Sequence, residues 1–258
     1  MVPISNLTAT GAQLPVAIRA ENLTKEFKLA HQSYASLKGM LLSFLPKRVE
    51  RLVALQNINF AIQQGETVGL IGQNGSGKST LLGIIARVYR PTAGIVEIHG
   101  RVAPLLELGA GFHPDLTGIE NIYFNGVILG LTRQQVAQRI EAIVEFAELQ
   151  GYIDAPIRTY SSGMLMRLGF AVAAHVDADI LLVDEVLAVG DARFQQKCYA
   201  KIQQFQREGR TILFVSHDMD AIQQVARRAI WLDKGVLRAD GDAPSVVQEY
   251  LNSVQRGL

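Results

Sequence analysis

Thr67-Val68-Gly69-Leu70-Ile71 runs straight into Gly72-Gln73-Asn74-Gly75-Ser76-Gly77-Lys78-Ser79-Thr80, and the reading of this stretch decides the fold. Its first five residues are a short apolar strand, and the rest fits the pattern GxxxxGK[ST]. Glycines let the backbone curl so that successive N–H groups point inward at phosphate oxygens. The helix that follows adds its positive N-terminal end. In this pattern Lys78 reaches the β- and γ-phosphates, and Ser79 places its hydroxyl on Mg²⁺. A glycine-rich turn that only caps a helix would leave both the strand before it and the helix after it to coincidence. The stretch therefore implies a site for a nucleoside triphosphate and Mg²⁺.

Outward from this loop, further buried strands read as continuous apolar runs at Ile180–Val183 and Thr211–Val215. Runs of this kind, separated by helix-length segments, indicate a parallel sheet covered on both faces. Strands are also expected at Val16–Ala20 and Val53–Ile62, and a hairpin in "IWLDKGVLRADG" turning at Asp233-Lys234-Gly235. Helices are expected at Gly77–Val88, Arg133–Leu149, Ser161–His175, Asp191–Arg207 and Pro244–Val254. In the second of these, Val136, Ile140, Ile143, Val144 and Ala147 form a 3.6-residue stripe. Residues 1–15 read as a flexible leader and 16–258 as one continuous domain, with no internal repeat.

Composition narrows the class. The 258 residues carry 25 Lys+Arg against 24 Asp+Glu, and a net charge of +1 offers no field for nucleic acid. A 48% apolar content is globular rather than disordered. Mean hydropathy of +0.16 hints at surface buried against a partner. One cysteine, Cys198, excludes an intrachain disulfide framework and fits a reducing compartment. No run approaches the roughly eighteen apolar residues of a spanning helix, and Met1 opens no signal peptide.

A phosphate loop by itself does not imply hydrolysis. The Ile180 strand ends in Asp184-Glu185, at the sheet edge where α/β proteins place their sites. Asp184 fits the carboxylate on the Mg²⁺ side, and Glu185 the base that orients an attacking water. His217 follows the Thr211 strand, where it would face a γ-phosphate; alone, a histidine there reads as structural.

Between these motifs lies Tyr160-Ser161-Ser162-Gly163-Met164-Leu165-Met166-Arg167, and with it the chain resembles the ATP-binding-cassette (ABC) ATPase family. The family's LSGGQ signature appears as YSSGM, and the resemblance covers about Val16 to Tyr250. It implies an α/β fold: a P-loop NTPase core with a mostly parallel sheet, an antiparallel β subdomain and an α-helical signature subdomain over about 115–176. It also implies ATP as ligand and roles for particular residues. Ser161, Ser162, Gly163 and Met164 would meet ATP held by the opposite subunit, and Asp191 would be a dimer contact. His217 would sense the γ-phosphate and Phe27 would stack on adenine, with Tyr34 a rival for that stacking. The family's glutamine between loop and signature is missing, and Glu107 in "LLELGAGFHPDLTGIEN" is the nearest occupant of a metal-facing place. One P-loop and one signature per chain require two copies for complete sites, hence an ATP-dependent homodimer.

YSSGM, "LLELGAGFHP" and "DEVLAVGD" together look like the polysaccharide-exporting subfamily, which serves O-antigen, capsule or teichoic-acid transport through a separate membrane permease. That resemblance implies a lipid-linked glycan as cargo and a place on the cytoplasmic face of the membrane. Because little sequence follows the cassette, glycan selection is expected in the permease or elsewhere. Tyr34, Leu37, Met40, Leu41, Phe44 and Leu45 share one helical face in the segment His31–Pro46, before Lys47, Arg48 and Arg51. This helix either meets the membrane or permease, or buries its stripe on its own domain.

Other residues read plainly. Cys198 has no adjacent histidine to activate it, Trp231 opens an apolar strand, and His99, His113 and His175 lack metal-ligand spacing. His113 and Asp115 are placed for a permease contact. Rival functions are an importer or drug exporter, a soluble ABC protein acting on ribosomes or DNA, and a nucleotide-gated module that does not hydrolyse. The exporter-like loop, the small net charge, and the set Lys78, Asp184, Glu185 and His217 count against these in turn.

Overall fold

The computed structural model describes residues 15–29, 50–105, 109, 111–184 and 190–256. Strands β1 (Val16–Leu29) and β2 (Glu50–Gln63) pair antiparallel, and a short turn leads to β3 (Thr67–Ile71). The phosphate loop follows, then α1 (Lys78–Ile85), β4 (Ala93–Ile98) and β5 (Val102–Leu105). A helical stretch comes next: α2 (Gly118–Ile128), α3 (Arg133–Ala137), α4 (Ile140–Ala147) and α5 (Ser162–Ala173). The chain then returns to the sheet through β6 (Ile180–Asp184), α6 (Ala192–Arg207), β7 (Thr211–Val215) and α7 (Met219–Val225). It closes with the hairpin of β8 (Arg228–Asp233) and β9 (Val236–Asp242), followed by α8 (Ala243–Gln255).

Two sheets result. One has the order β2-β1-β4 and is antiparallel; the other runs β5-β6-β7-β3-β8-β9, parallel except for the last pair. The apolar runs alternate between two cores. Ile180, Leu182, Leu213 and Val215 face the antiparallel sheet, with Leu81, Leu82, Ile84 and Ile85 of α1 between the layers. Leu181, Val183, Ile212 and Phe214 face the helices instead. Both faces are buried, and this is why these strands are apolar throughout rather than alternating. Arg228 joins the two sheets: it pairs with Asp240 at 2.6 Å, with Glu66 at 3.1 Å, and donates to the Ala61 carbonyl at 2.9 Å.

The expected elements are present with altered limits. Strands β3 and β7 end where the sequence placed them, while β1 and β2 are longer than expected because they pair along their whole lengths. The single helix expected over Arg133–Leu149 is broken between α3 and α4. At that break Arg139 sends its guanidinium to the His175 carbonyl (3.1 Å) and the Asp177 carboxylate (2.6 Å). The first expected helix starts at Lys78 and stops at Ile85, where Arg87 turns into the left-handed region with φ 62°. The hairpin turns at Lys234-Gly235, with φ of 47° and 77°, between the paired residues Asp233 and Val236. Trp231 and Cys198 are buried, and Trp231 lies in the middle of β8 rather than at its start, because the strand already begins at Arg228. The leader, the segment 31–46 with Tyr34, Glu107 and Glu185 lie outside the described residues, apart from residue 15 at the leader's end.

Candidate functional site: a nucleotide cleft

The C-terminal ends of β3, β6 and β7 open onto one cleft of about 440 Å³. Its lining includes the loop from Asn74 to Thr80, Asp184 from the end of β6, His217 just beyond β7, and Phe27 from β1. Residues widely separated in sequence thus converge because parallel strands deliver their C-terminal ends to a common edge.

The loop is held from three sides. Lys78 is buried, and its ammonium donates to the carbonyls of Gly72 (2.7 Å) and Gln73 (3.1 Å). The Ser76 carbonyl accepts from the N–H of Gly235 at 2.9 Å, and the Gly235 carbonyl accepts from Gln56 at 2.7 Å. Gly77 caps α1 at φ 106°, and a Cβ there would come within 2.7 Å of the Ala54 carbonyl oxygen. No side chain fits between loop and β2, so glycine is required for close approach. At Gly75 a Cβ would meet nothing within 4 Å, which leaves the cradle open to a ligand. The buried hydroxyl of Ser76 has no hydrogen-bond partner among the described residues.

These features suit a polyphosphate. The first-turn N–H groups of α1 and the Lys78 charge favour anionic oxygens. Ser79 and Asp184 bring a hydroxyl and a carboxylate to the same cleft, which suits Mg²⁺ shared with phosphate oxygens. No cluster of three or more His, Cys, Asp or Glu able to cage a metal occurs among the described residues. Leu52, Val53 and Ala54 of β2 also line the cleft, and sequence reading missed them. Phe27 meets Tyr89 edge-on at 5.4 Å between ring centroids, and the Lys25 ammonium lies 4.9 Å from the Phe27 ring.

The signature segment sits elsewhere. Ser161, Ser162, Gly163 and Met164 do not line this cleft; they open α5, where the Ser161 hydroxyl accepts from the Met164 N–H at 3.2 Å. Asp191 caps α6 by accepting from Phe194 N–H at 2.9 Å, and its other oxygen meets Arg167 at 2.6 Å. The Phe194 N–H, and then the Arg167 charge, hold the Asp191 carboxyl below its ordinary pKa. His113 and Asp115 lie in a turn knitted by buried Asn121, whose amide donates to the carbonyls of His113, Leu116 and Thr117. Asp115 itself pairs with Arg158 at 2.6 Å.

The family model described as "ABC transporter" matches residues 55–188. The chain belongs to the ABC transporter family. This cassette is 50% identical over 239 residues to the O-antigen export system ATP-binding protein RfbB of Klebsiella pneumoniae, covering 90% of this chain and 96% of the relative. It is 40% identical over 233 residues to the teichoic acids export ATP-binding protein TagH of Bacillus anthracis, covering 90% of this chain and 42% of that protein. Among solved structures it is similar to the dimeric post-hydrolysis state of the ATP-binding cassette MJ0796 bound to ADP and Pi. The TM-score is 0.71 at 22% identity, covering 88% of this chain and 98% of that one. The last likeness bears on the fold, and it agrees with the ABC cassette architecture of two sheets and a helical stretch.

Proposed function

We propose that this cassette is the ATP-hydrolysing subunit of an exporter that moves a lipid-linked polysaccharide, of O-antigen, capsule or teichoic-acid type, through a separate permease. The observation that carries the reading is the 50% identity to an O-antigen export ATP-binding protein over nearly the full length of both chains. The cleft supports the ATPase part. In this reading the loop from Gly72 to Thr80 binds the phosphates, Phe27 stacks on adenine, and Glu185 orients the attacking water. His217 senses the γ-phosphate. Ser79 and Asp184 would hold Mg²⁺, with Glu107 assigned to it as a further ligand, and the ion would supply charge neutralisation for the phosphates.

In the same reading residues 16–258 form one cassette with a helical subdomain over 115–176. A second copy completes each site by presenting Ser161, Ser162, Gly163 and Met164 to the γ-phosphate, with Asp191 at the contact. The separation of the signature segment from the cleft of its own chain supports this arrangement. ATP then joins the subunits, and hydrolysis replaces an attraction by repulsion between products, a ligand-linked population shift passed to the permease.

A permease partner is further supported by a second cleft of about 450 Å³ between α1 and α2. Val88, Tyr89, Ile128 and Leu129 line it, and Val88 is 70% and Ile128 56% exposed. Exposed apolar walls of this kind mark a surface that a partner covers. A peripheral place on the cytoplasmic face of the membrane belongs to the same proposal, and no helix among the described residues is long and apolar enough to cross a membrane.

The test traps the Glu185→Gln chain with ATP and Mg²⁺ in gently solubilised native membranes and identifies what co-purifies by mass spectrometry. A multi-spanning permease with a lipid-linked glycan is the expected result. Ribosomal or DNA-repair partners without a membrane protein would keep the ATPase and discard the exporter.

A further inference from the structure

We infer that Arg167 is a positioning residue that locks the signature helix to Asp191, so that the two elements one subunit offers to its partner's nucleotide move as a single body. The inference rests on the composite-site reading above. Arg167 lies one turn beyond Gly163 on α5, and its side chain is only 21% exposed. One guanidinium nitrogen meets the Asp191 carboxylate at 2.6 Å, and the other meets Glu148 at 3.4 Å. The guanidinium carbon lies 5.1 Å from the Phe194 ring centroid, so the first turn of α6 also supports it from below.

The arrangement is built from several elements. Asp191 divides its two oxygens, one accepting from Phe194 N–H to cap α6 and the other from Arg167. Glu148 stands at the C-cap of α4 in the left-handed region, φ 60°, an unfavourable conformation for a residue with a Cβ. Its carboxylate lies between Arg167 and Lys197, the latter at 3.2 Å. Lys197 in turn donates to the Phe146 carbonyl at 2.8 Å, near the end of α4. Four charges of alternating sign thus join α4, α5 and α6, and Arg167 is the member that touches both the signature helix and Asp191.

Folding stability is a small part of what the Arg167–Asp191 contact contributes. The Asp191 side chain is 63% exposed, and exposed ion pairs contribute little to folding. What the pair fixes is geometry: the α5 tip, whose first-turn N–H groups suit a γ-phosphate, is held in register with the residue that follows the catalytic strand's loop. Such a contact acts when both elements must arrive on a second subunit together.

The experiment uses the full chain carrying Arg167→Gln, Arg167→Lys or Glu148→Gln. Each is made alone for turnover and on Glu185→Gln for ATP-dependent dimerisation by sedimentation. In Arg167→Gln, ATP affinity of the monomer is expected within about twofold of the parent, while kcat and the dimer association constant each fall about tenfold or more. Arg167→Lys should recover part of both, because an ammonium keeps the charge but lacks the planar fork whose two nitrogens meet Asp191 and Glu148 separately. Glu148→Gln, which leaves the Asp191 contact in place, should show a smaller fall in the same direction. Parent-like turnover and dimerisation in Arg167→Gln overturn the inference, whatever Glu148→Gln does. If the Glu185→Gln parent itself stays monomeric with ATP, the composite-site reading fails and the inference falls with it.

Discussion

The ammonium of Lys78 lies 2.7 Å from the carbonyl oxygen of Gly72, across the loop that these two residues bound. The lysine therefore bridges the entry and exit of the loop, and in the proposed ATPase a phosphate would compete with backbone carbonyls for it. In a lysine–phosphate pair both groups are ionised, whereas in the carbonyl contacts only the lysine is, so a phosphate would win that competition. Lys78→Met keeps length and removes the charge. ATP affinity by calorimetry should fall about 10–100-fold, the equivalent of one or two charged hydrogen bonds. Unchanged affinity would remove Lys78 from the site.

Gly77→Ala should destabilise the fold as well as the site. Its φ of 106° is unfavourable for alanine, and the added Cβ would press on the Ala54 carbonyl oxygen and the Leu55 side chain, each at 2.7 Å. A cost of about 1–3 kcal/mol follows from strain of this kind. Thermal denaturation should show it as a midpoint lower by several degrees. A midpoint within one degree of the parent, in the order-of-magnitude terms of that scale, would show that the loop relaxes away from β2.

His175 should make the protein less stable in mild acid. Burial pushes its imidazole below the ordinary value of 6.5, opposed by a hydrogen bond to the Ala171 carbonyl and assisted by the charges of Lys201 and Arg139. Nδ1 lies 2.7 Å from that carbonyl, which can only accept, so Nδ1 carries the hydrogen. The folded state binds this proton less readily than the unfolded chain does. The contribution is therefore complete above pH 6.5 and declines as pH falls below it toward the lower folded value. Urea midpoints at about pH 7.5 and 5.5 should differ more for the parent than for His175→Gln. Equal differences would count against the assignment.

The strands and the glycine-rich loop between β3 and α1 were legible because their signals are local. Thr67–Ile71 and Thr211–Val215 are apolar on both faces for a reason the sequence carries by itself, and GxxxxGK[ST] compresses a turn and the start of a helix into consecutive residues. The α2 helix was missed although Thr117 and Glu120 form a complete capping box, with the Glu120 N–H reaching the Thr117 hydroxyl at 3.2 Å. The four-residue β5 is too short to show a period of its own, and its place is fixed by pairing with β6. The break between α3 and α4 was hidden for another reason. The apolar stripe from Val136 to Ala147 continues across it, while the partners that hold Arg139, at His175 and Asp177, lie far along the chain. The cleft's second wall, Leu52 to Ala54, gave no signal either, since nothing in those residues distinguishes a strand edge that faces a ligand from one that faces water.

The Lys234-Gly235 turn has the outward form of a permissive site, a tight two-residue hairpin between short strands where tags, inserted peptides or new chain ends are usually tolerated. Its backbone, however, holds the Ser76 carbonyl on one side and the Gln56 N–H on the other. Anyone labelling this cassette or permuting its chain there would be editing the support of the loop from Gly72 to Thr80 from behind, at a position more than a hundred residues away from it in the sequence.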